Sequence, residues 1–170
     1  MRRITIVDGY NVLHSSKRYR RLLENDIDSA RRALLADLGA WREPDEAIHL
    51  VFDGDQGPGL ESVFEDPSGV TIVYAGAGSD ADSVIEGIAS KHVATTEAVV
   101  VVSSDNQIRF ATCWPKVSIL SVKQFDDRIA VVEKSWQERV QPKLKVRVED
   151  RIDPTLKNQL DRMSGRGDAN

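Results

Sequence analysis

Asp8, Asp82 and Asp105 are the residues of this chain best placed to do chemistry, with Asn11, Asp53, Asp80 and Glu86 close by in the same short motifs. Asp8 follows the apolar run Ile4-Thr5-Ile6-Val7, Asp53 follows a run ending in Phe52, and Asp105 follows Val-Val-Val-Val-Ser-Ser. Asp80 and Asp82 open a helical stretch, with Glu86 one turn on. Carboxylates gathered in one place repel, and the repulsion grows as water leaves. Asp82 and Glu86, spaced i, i+4, by themselves cost a helix about 0.2–0.5 kcal/mol. A hard divalent cation such as Mg2+ or Mn2+ removes that cost, takes oxygen ligands, and can activate water and steady a phosphate under in-line attack. Each acid also has a plainer reading. Asp8 and Asp105 are credible helix caps, Ser79 with Asp82 matches the S-x-x-[DE] capping pattern, and Asp53-Gly54 suits a turn. Convergence, rather than any one acid, is the signal.

That convergence depends on the elements around the acids. Residues 3–7, Ala47–Phe52, Val70–Ala75, Ala98–Val102 and Val117–Leu120 read as strands. Residues 27–42 read as a helix with Ala30, Leu34, Leu38 and Trp41 on one face, and 81–93 as another with Ala81, Val84, Ile85, Ile88 and Ala89 inward. A brief helix is expected near 106–112, and a long amphipathic one over Val122–Val140. The unbroken valines 99–102 suggest a parallel strand covered on both faces. The alternation predicts an α/β chain: a three-layer α/β/α sandwich around an open, mostly parallel sheet of about five strands. Ligands in such sheets sit beyond the carboxyl ends of the strands, where these acids fall. Gly54–Gly69 reads as a mobile loop. A domain over 1–141 is expected, followed by a polar extension over 142–170, partly disordered, with one short helix at 154–163.

Composition narrows the function classes. The chain has 170 residues, 41% hydrophobic and 29% charged, as expected of one globular domain. No apolar run is long enough for a membrane helix, and no signal-peptide pattern is present, so a cytoplasmic location is expected. Cys113 is the single cysteine, which excludes an internal disulfide and argues against a cysteine-based zinc site. The net charge of −4 argues mildly against indiscriminate nucleic-acid binding. Neither a Walker loop nor a serine nucleophile elbow is found. His14 lies near the first motif, while His49 and His92 read as structural.

Within the first motif, Gly9 reads as a sharp turn that lets substrate approach Asp8, and Asn11 as a partner for the Asp8 carboxylate or a phosphate oxygen. Tyr10 reads as packing rather than as a stacking surface. DGYN, an Arg- and Leu-rich helix, VFDG, SDADSVIE and VVVVSSDN, in that order over roughly residues 3–140, resemble the NYN domain in its YacP-like branch, part of the wider PIN-like fold. The resemblance implies a Rossmann-like sandwich and a metal-dependent endoribonuclease. It places Asp8, Asp82 and Asp105 on the family's acidic positions and Asn11 on its signature asparagine. These four would be catalytic, with the three aspartates holding Mg2+ or Mn2+, while Asp53, Asp80 and Glu86 stand around them. Some YacP-like proteins are implicated in cutting translated mRNA on the ribosome.

Lys17, Arg18, Arg20, Arg21, Arg31 and Arg32 are the candidate RNA-binding residues, and Lys143, Lys145 and Arg147 add charge in the tail. Charge runs also commonly form a solvated helix face. Single-stranded RNA is the expected partner, with the ribosome as a further one. Two rivals stand beside the nuclease. A noncatalytic RNA- or ribosome-binding module would keep the fold without the chemistry. An aspartate-nucleophile phosphatase would carry a second aspartate two residues after Asp8, where this chain has Tyr10.

Overall fold

The computed structural model describes residues 3–54, 62–95 and 98–140. β1 (Arg3–Asp8) is followed by three helices, α1 (Gly9–Ser15), α2 (Lys17–Asn25) and α3 (Ile27–Trp41). Next come β2 (Glu46–Phe52), β3 (Ser62–Glu65), β4 (Val70–Tyr74), α4 (Ala81–Ala94), β5 (Ala98–Val102), α5 (Asn106–Ala111), β6 (Val117–Leu120) and α6 (Val122–Val140). Residues from Glu133 onward form a separate unit, described only as the last turns of α6.

The sheet has six strands in the order β3-β4-β2-β1-β5-β6. All neighbours pair in parallel except β3 and β4. β3 corrects the expectation of about five strands and of a loop throughout Gly54–Gly69: Ser62 opposes Tyr74 and Glu65 opposes Thr71. Three of the four β3 residues are exposed, so backbone pairing, rather than burial, makes this segment a strand.

Side chains alternate between two cores, as the pleat requires. Ile4, Ile6, Val51, Val73, Val99 and Val101 pack against α4 and α5 through Ala81, Ile85, Ala89 and Ile108. Val7, Ile48, Leu50, Phe52, Val70 and Val102 face the opposite side, against Val12, Leu13, Leu34, Leu38 and Phe125. The valine run of β5 therefore serves both cores and lies between β1 and β6. Helix ends are held locally. Asp26 caps α3 through the N–H of Ser29, at 2.9 Å. Ser121 and Gln124 bond reciprocally ahead of α6, as a capping box does. The expected tail helix at 154–163, the boundary near 141, and Lys143, Lys145 and Arg147 lie outside the described residues. Among the described residues no helix is long and apolar enough to cross a membrane.

Candidate active site

Parallel pairing sets the carboxyl ends of β1, β2, β4 and β5 side by side, and an acid follows or closes each of three of them. Asp8 is the last residue of β1, Asp53 comes directly after β2, and Asp105 caps α5 just beyond β5. Asp80 and Asp82 stand at the start of α4.

Asp8 is 7% exposed. One carboxylate oxygen accepts the backbone N–H of Asn11 at 3.1 Å, which caps α1, and the other accepts the Ser103 hydroxyl at 3.2 Å. Burial pushes its pKa up to about 6; Asn11 and Ser103 pull it down, while Asp82 and Asp53 push it further up. Asp82 is also raised, first by burial and then by Asp105, Asp80 and Asp53. These influences tie four segments into one electrostatic group.

Capping divides the work differently from the sequence pattern. Ser79 does not cap α4; Asp80 does, accepting the Ser83 N–H at 2.8 Å, and Ser83 holds its pKa below the usual carboxylate range. Asp53 accepts the first N–H of the same helix, that of Ala81, at 2.7 Å. Asp82 is left half-buried, and among the described residues no hydrogen bond reaches it. Asp105 accepts the Gln107 N–H at 2.6 Å. Glu86 is exposed on the next turn of α4.

Two readings of the first motif change. Gly9 has no left-handed backbone and makes no sharp turn; it is the first residue of α1, and a Cβ there would run into the Phe52 ring. The Asn11 side chain does not reach Asp8. Its oxygen accepts the Ser104 N–H at 2.9 Å, fastening α1 to the segment after β5. Ser103 and Ser104 are the site residues that sequence reasoning missed. Ser103 Oγ donates to Asp8 and accepts the Asp105 N–H at 3.0 Å, while Ser104 Oγ accepts the Val122 N–H at 3.1 Å. The available signal was a pair of hydroxyls between a valine strand and an aspartate.

The donor set is chemically suited to a hard divalent cation: carboxylate oxygens only, mutually repelling, with Asp8 nearly buried. As the side chains stand, no three His, Cys, Asp or Glu among the described residues converge closely enough to hold an ion.

The basic residues separate into two groups. Arg18 binds Asp37 through two nitrogens, at 2.7 and 3.1 Å, and Arg32 bonds Asp26 and Ser29. Arg31 bonds Asp28 and the Tyr10 hydroxyl. Lys17, Arg20 and Arg21 are exposed on α2, where Arg20 also reaches the His14 carbonyl at 3.4 Å. At the amino ends of the strands lies a cavity of about 590 Å3 lined by Arg42, Glu46, His49, Glu65, Lys91 and His92. Burial, with His92 and Lys91 beside it, lowers the His49 pKa.

The site thus lies on the carboxyl edge of a mostly parallel sheet within a three-layer α/β/α sandwich. The model of the YacP-like NYN domain matches residues 5–165, and the chain belongs to that family. The match extends beyond the motifs quoted above into the tail. Among solved structures, the chain is similar to a tryptophan-to-leucine mutant of Rae1 (YacP) from Bacillus subtilis, at 18% identity and TM-score 0.70, covering 96% of this chain and 99% of that one. It is also similar to Rae1 (YacP) from Bacillus subtilis without that change, at 22% identity and TM-score 0.66, covering 95% and 89%. At these identities the likeness establishes a shared fold. No curated protein matches the chain.

Proposed function

We propose that the chain is a metal-dependent endoribonuclease that hydrolyses phosphodiester bonds of single-stranded RNA in the cytoplasm. One observation carries the reading: a nearly buried Asp8, its pKa pushed up to about 6, lies under the influence of Asp82 and Asp53 from two other segments. A structural aspartate gains nothing from such neighbours, whereas a cation site needs them. Asp8, Asp82 and Asp105 are the proposed ligands of Mg2+ or Mn2+, with Asp53 and Asp80 fixing the start of α4 that carries Asp82. When bound, the ion supplies charge neutralisation at the scissile phosphate and a more acidic attacking water. Ser103 and the Asn11 N–H hold the Asp8 carboxylate in place, and the Asn11 side chain holds the strand-end segment that carries Ser103 and Asp105. Lys17, Arg20 and Arg21 offer exposed charge to the RNA backbone. A ribosome presenting the substrate is part of the proposal.

A noncatalytic RNA-binding module is the second reading, and one observation favours it: the described carboxylates do not close on a common point as they stand. Incubation of the protein with a mixed RNA pool in Mn2+, Mg2+ or EDTA, beside Asp8→Asn, separates the two. Metal-dependent cleavage lost in the variant supports the nuclease. Tight RNA binding without cleavage, with and without ribosomes, supports the module. Release of phosphate from small esters would point to phosphatase chemistry instead.

A further inference from the structure

The cavity of about 590 Å3 at the amino ends of the strands opens beside the last turn of α4. Cross-strand partners share a face, so His49, Thr71 and Glu65 stand together on the α4 side of β2, β4 and β3. His49 is half-buried, and its ring lies 5.8 Å from that of His92 on α4. Lys91 and Thr95 come from the same helix end. Thr95 donates its N–H and its hydroxyl to the His92 carbonyl, at 3.1 and 2.9 Å, which covers that oxygen. Arg42 is fixed by the backbone carbonyls of Ser68 and Glu46, at 3.2 and 3.1 Å. Among the described residues, neither Arg42 nor Lys91 pairs with a carboxylate. Glu46 is 4% exposed, and its carboxylate oxygens accept the Thr5 hydroxyl and the Glu43 N–H. The charged neighbours that act on His49 are His92 and Lys91, both of cationic type.

We infer that this cavity is a second ligand site, which binds the phosphate group of a nucleotide-sized molecule through Lys91, Arg42, His49 and His92. The inference stands apart from the nuclease reading, because the acids lie at the carboxyl ends of the strands and the cavity at the amino ends. Cations gathered in a concave, partly dry site repel, and a bound anion removes that cost. Guanidinium, ammonium and imidazolium groups all donate to phosphate oxygens. The volume falls within the about 300–1,000 Å3 of ordinary ligand pockets, larger than a phosphate alone needs. Ile4, Ala47 and the imidazole faces supply an apolar wall for the rest of the molecule. A transition metal fits less well. No three His, Cys, Asp or Glu among the described residues converge, and Arg42 and Lys91 repel a cation. A free nucleotide and a phosphate along an RNA strand share the required chemistry.

The chain has three histidines, so proton NMR of the imidazole ring signals reads the site directly, with His14 on α1 as an internal reference. The full chain in EDTA is titrated with adenosine 5′-monophosphate, with adenosine, and with a short single-stranded RNA lacking terminal phosphates. The monophosphate is expected to move the His49 and His92 signals and leave His14 in place, while adenosine moves none of them. Lys91 is exposed, so Lys91→Gln should keep the melting temperature and weaken monophosphate binding by about fivefold or more. Movement with the monophosphate alone assigns the site to a free nucleotide. Movement with the RNA, reversed by excess monophosphate, assigns it to a strand phosphate. Both results support the phosphate site. It is overturned if neither phosphate-bearing probe moves His49 and His92, if adenosine moves them equally, if His14 moves along with them, or if Lys91→Gln binds as its parent does. None of these readouts depends on RNA cleavage.

Discussion

Asp8 meets two demands that conflict: it caps α1 with one oxygen, and it lies nearly buried under the influence of two other carboxylates. Its folded pKa, about 6, lies above the ordinary 3.8. The folded state therefore disfavours the ionised form, and Asp8 weakens the metal-free protein as pH rises from about 4 and fully so above about 6. That displacement bounds the cost at about 3 kcal/mol. Asp8→Asn keeps an acceptor for the Asn11 N–H and can donate to Ser103. In EDTA at neutral pH it is expected to unfold at higher temperature by several degrees, a gain of about 1–3 kcal/mol, with activity lost. Added Mn2+ should raise the melting temperature of the protein with Asp8 and leave the variant nearly unmoved; thermal scans at pH 5 and pH 7.5 check both points. Ser103 acts in the opposite sense, lowering the Asp8 pKa. Ser103→Ala should move the acid limb of the pH–rate profile upward by about half to one pH unit. A lower rate with an unmoved limb would mean that Ser103 matters only through the Asp105 N–H.

At the scale of elements, the junction of β1 and α1 is packed against β2. Gly9 is helical, and alanine there would ordinarily favour the helix by about 1 kcal/mol. The Phe52 ring occupies the space a Cβ would need, so packing sets the opposite sign. Gly9→Ala is expected to destabilise the fold by about 1–3 kcal/mol, read as a lower denaturant midpoint with an unchanged slope. A neutral or stabilised variant would show that Phe52 can move aside. The neighbouring α4 is a second case of elements cooperating. Asp53 from the end of β2 and Asp80 from the turn before α4 take the first free N–H groups of that helix. Asp82 is thereby released from capping and remains as a carboxylate without a hydrogen-bonding task among the described residues.

At the scale of the molecule, a net charge of −4 hides an uneven distribution. The acids gather at the strand ends, and Lys17, Arg20 and Arg21 stand exposed on α2, which follows the β1–α1 junction. Binding of a polyanion then depends on those cations more than on the total. Replacing all three by alanine should weaken single-stranded RNA binding at low salt and reduce the slope of log K against log salt by about 2, at roughly 0.7 per phosphate contact. Anisotropy titrations across a salt series measure that slope. Arg18→Ala should leave the slope unchanged and lose stability instead, because its guanidinium is engaged by Asp37.

The amino-acid sequence by itself determined the alternation of strands and helices, and with it the gathering of Asp8, Asp53, Asp82 and Asp105 on one edge. That much follows from local periodicity, since parallel strands joined by helices all point their carboxyl ends the same way. Tertiary structure alone decided which group serves which partner. β3 is short and exposed, so its identity lies in its pairing with β4 and not in its own pattern. Gly9 is small because of a ring more than forty residues away, at Phe52. Asn11 reaches Ser104 across two strand ends, and Ser103 reaches Asp8. Contacts between residues distant in the chain exist only after the sheet has closed, and neither spacing nor propensity encodes them singly.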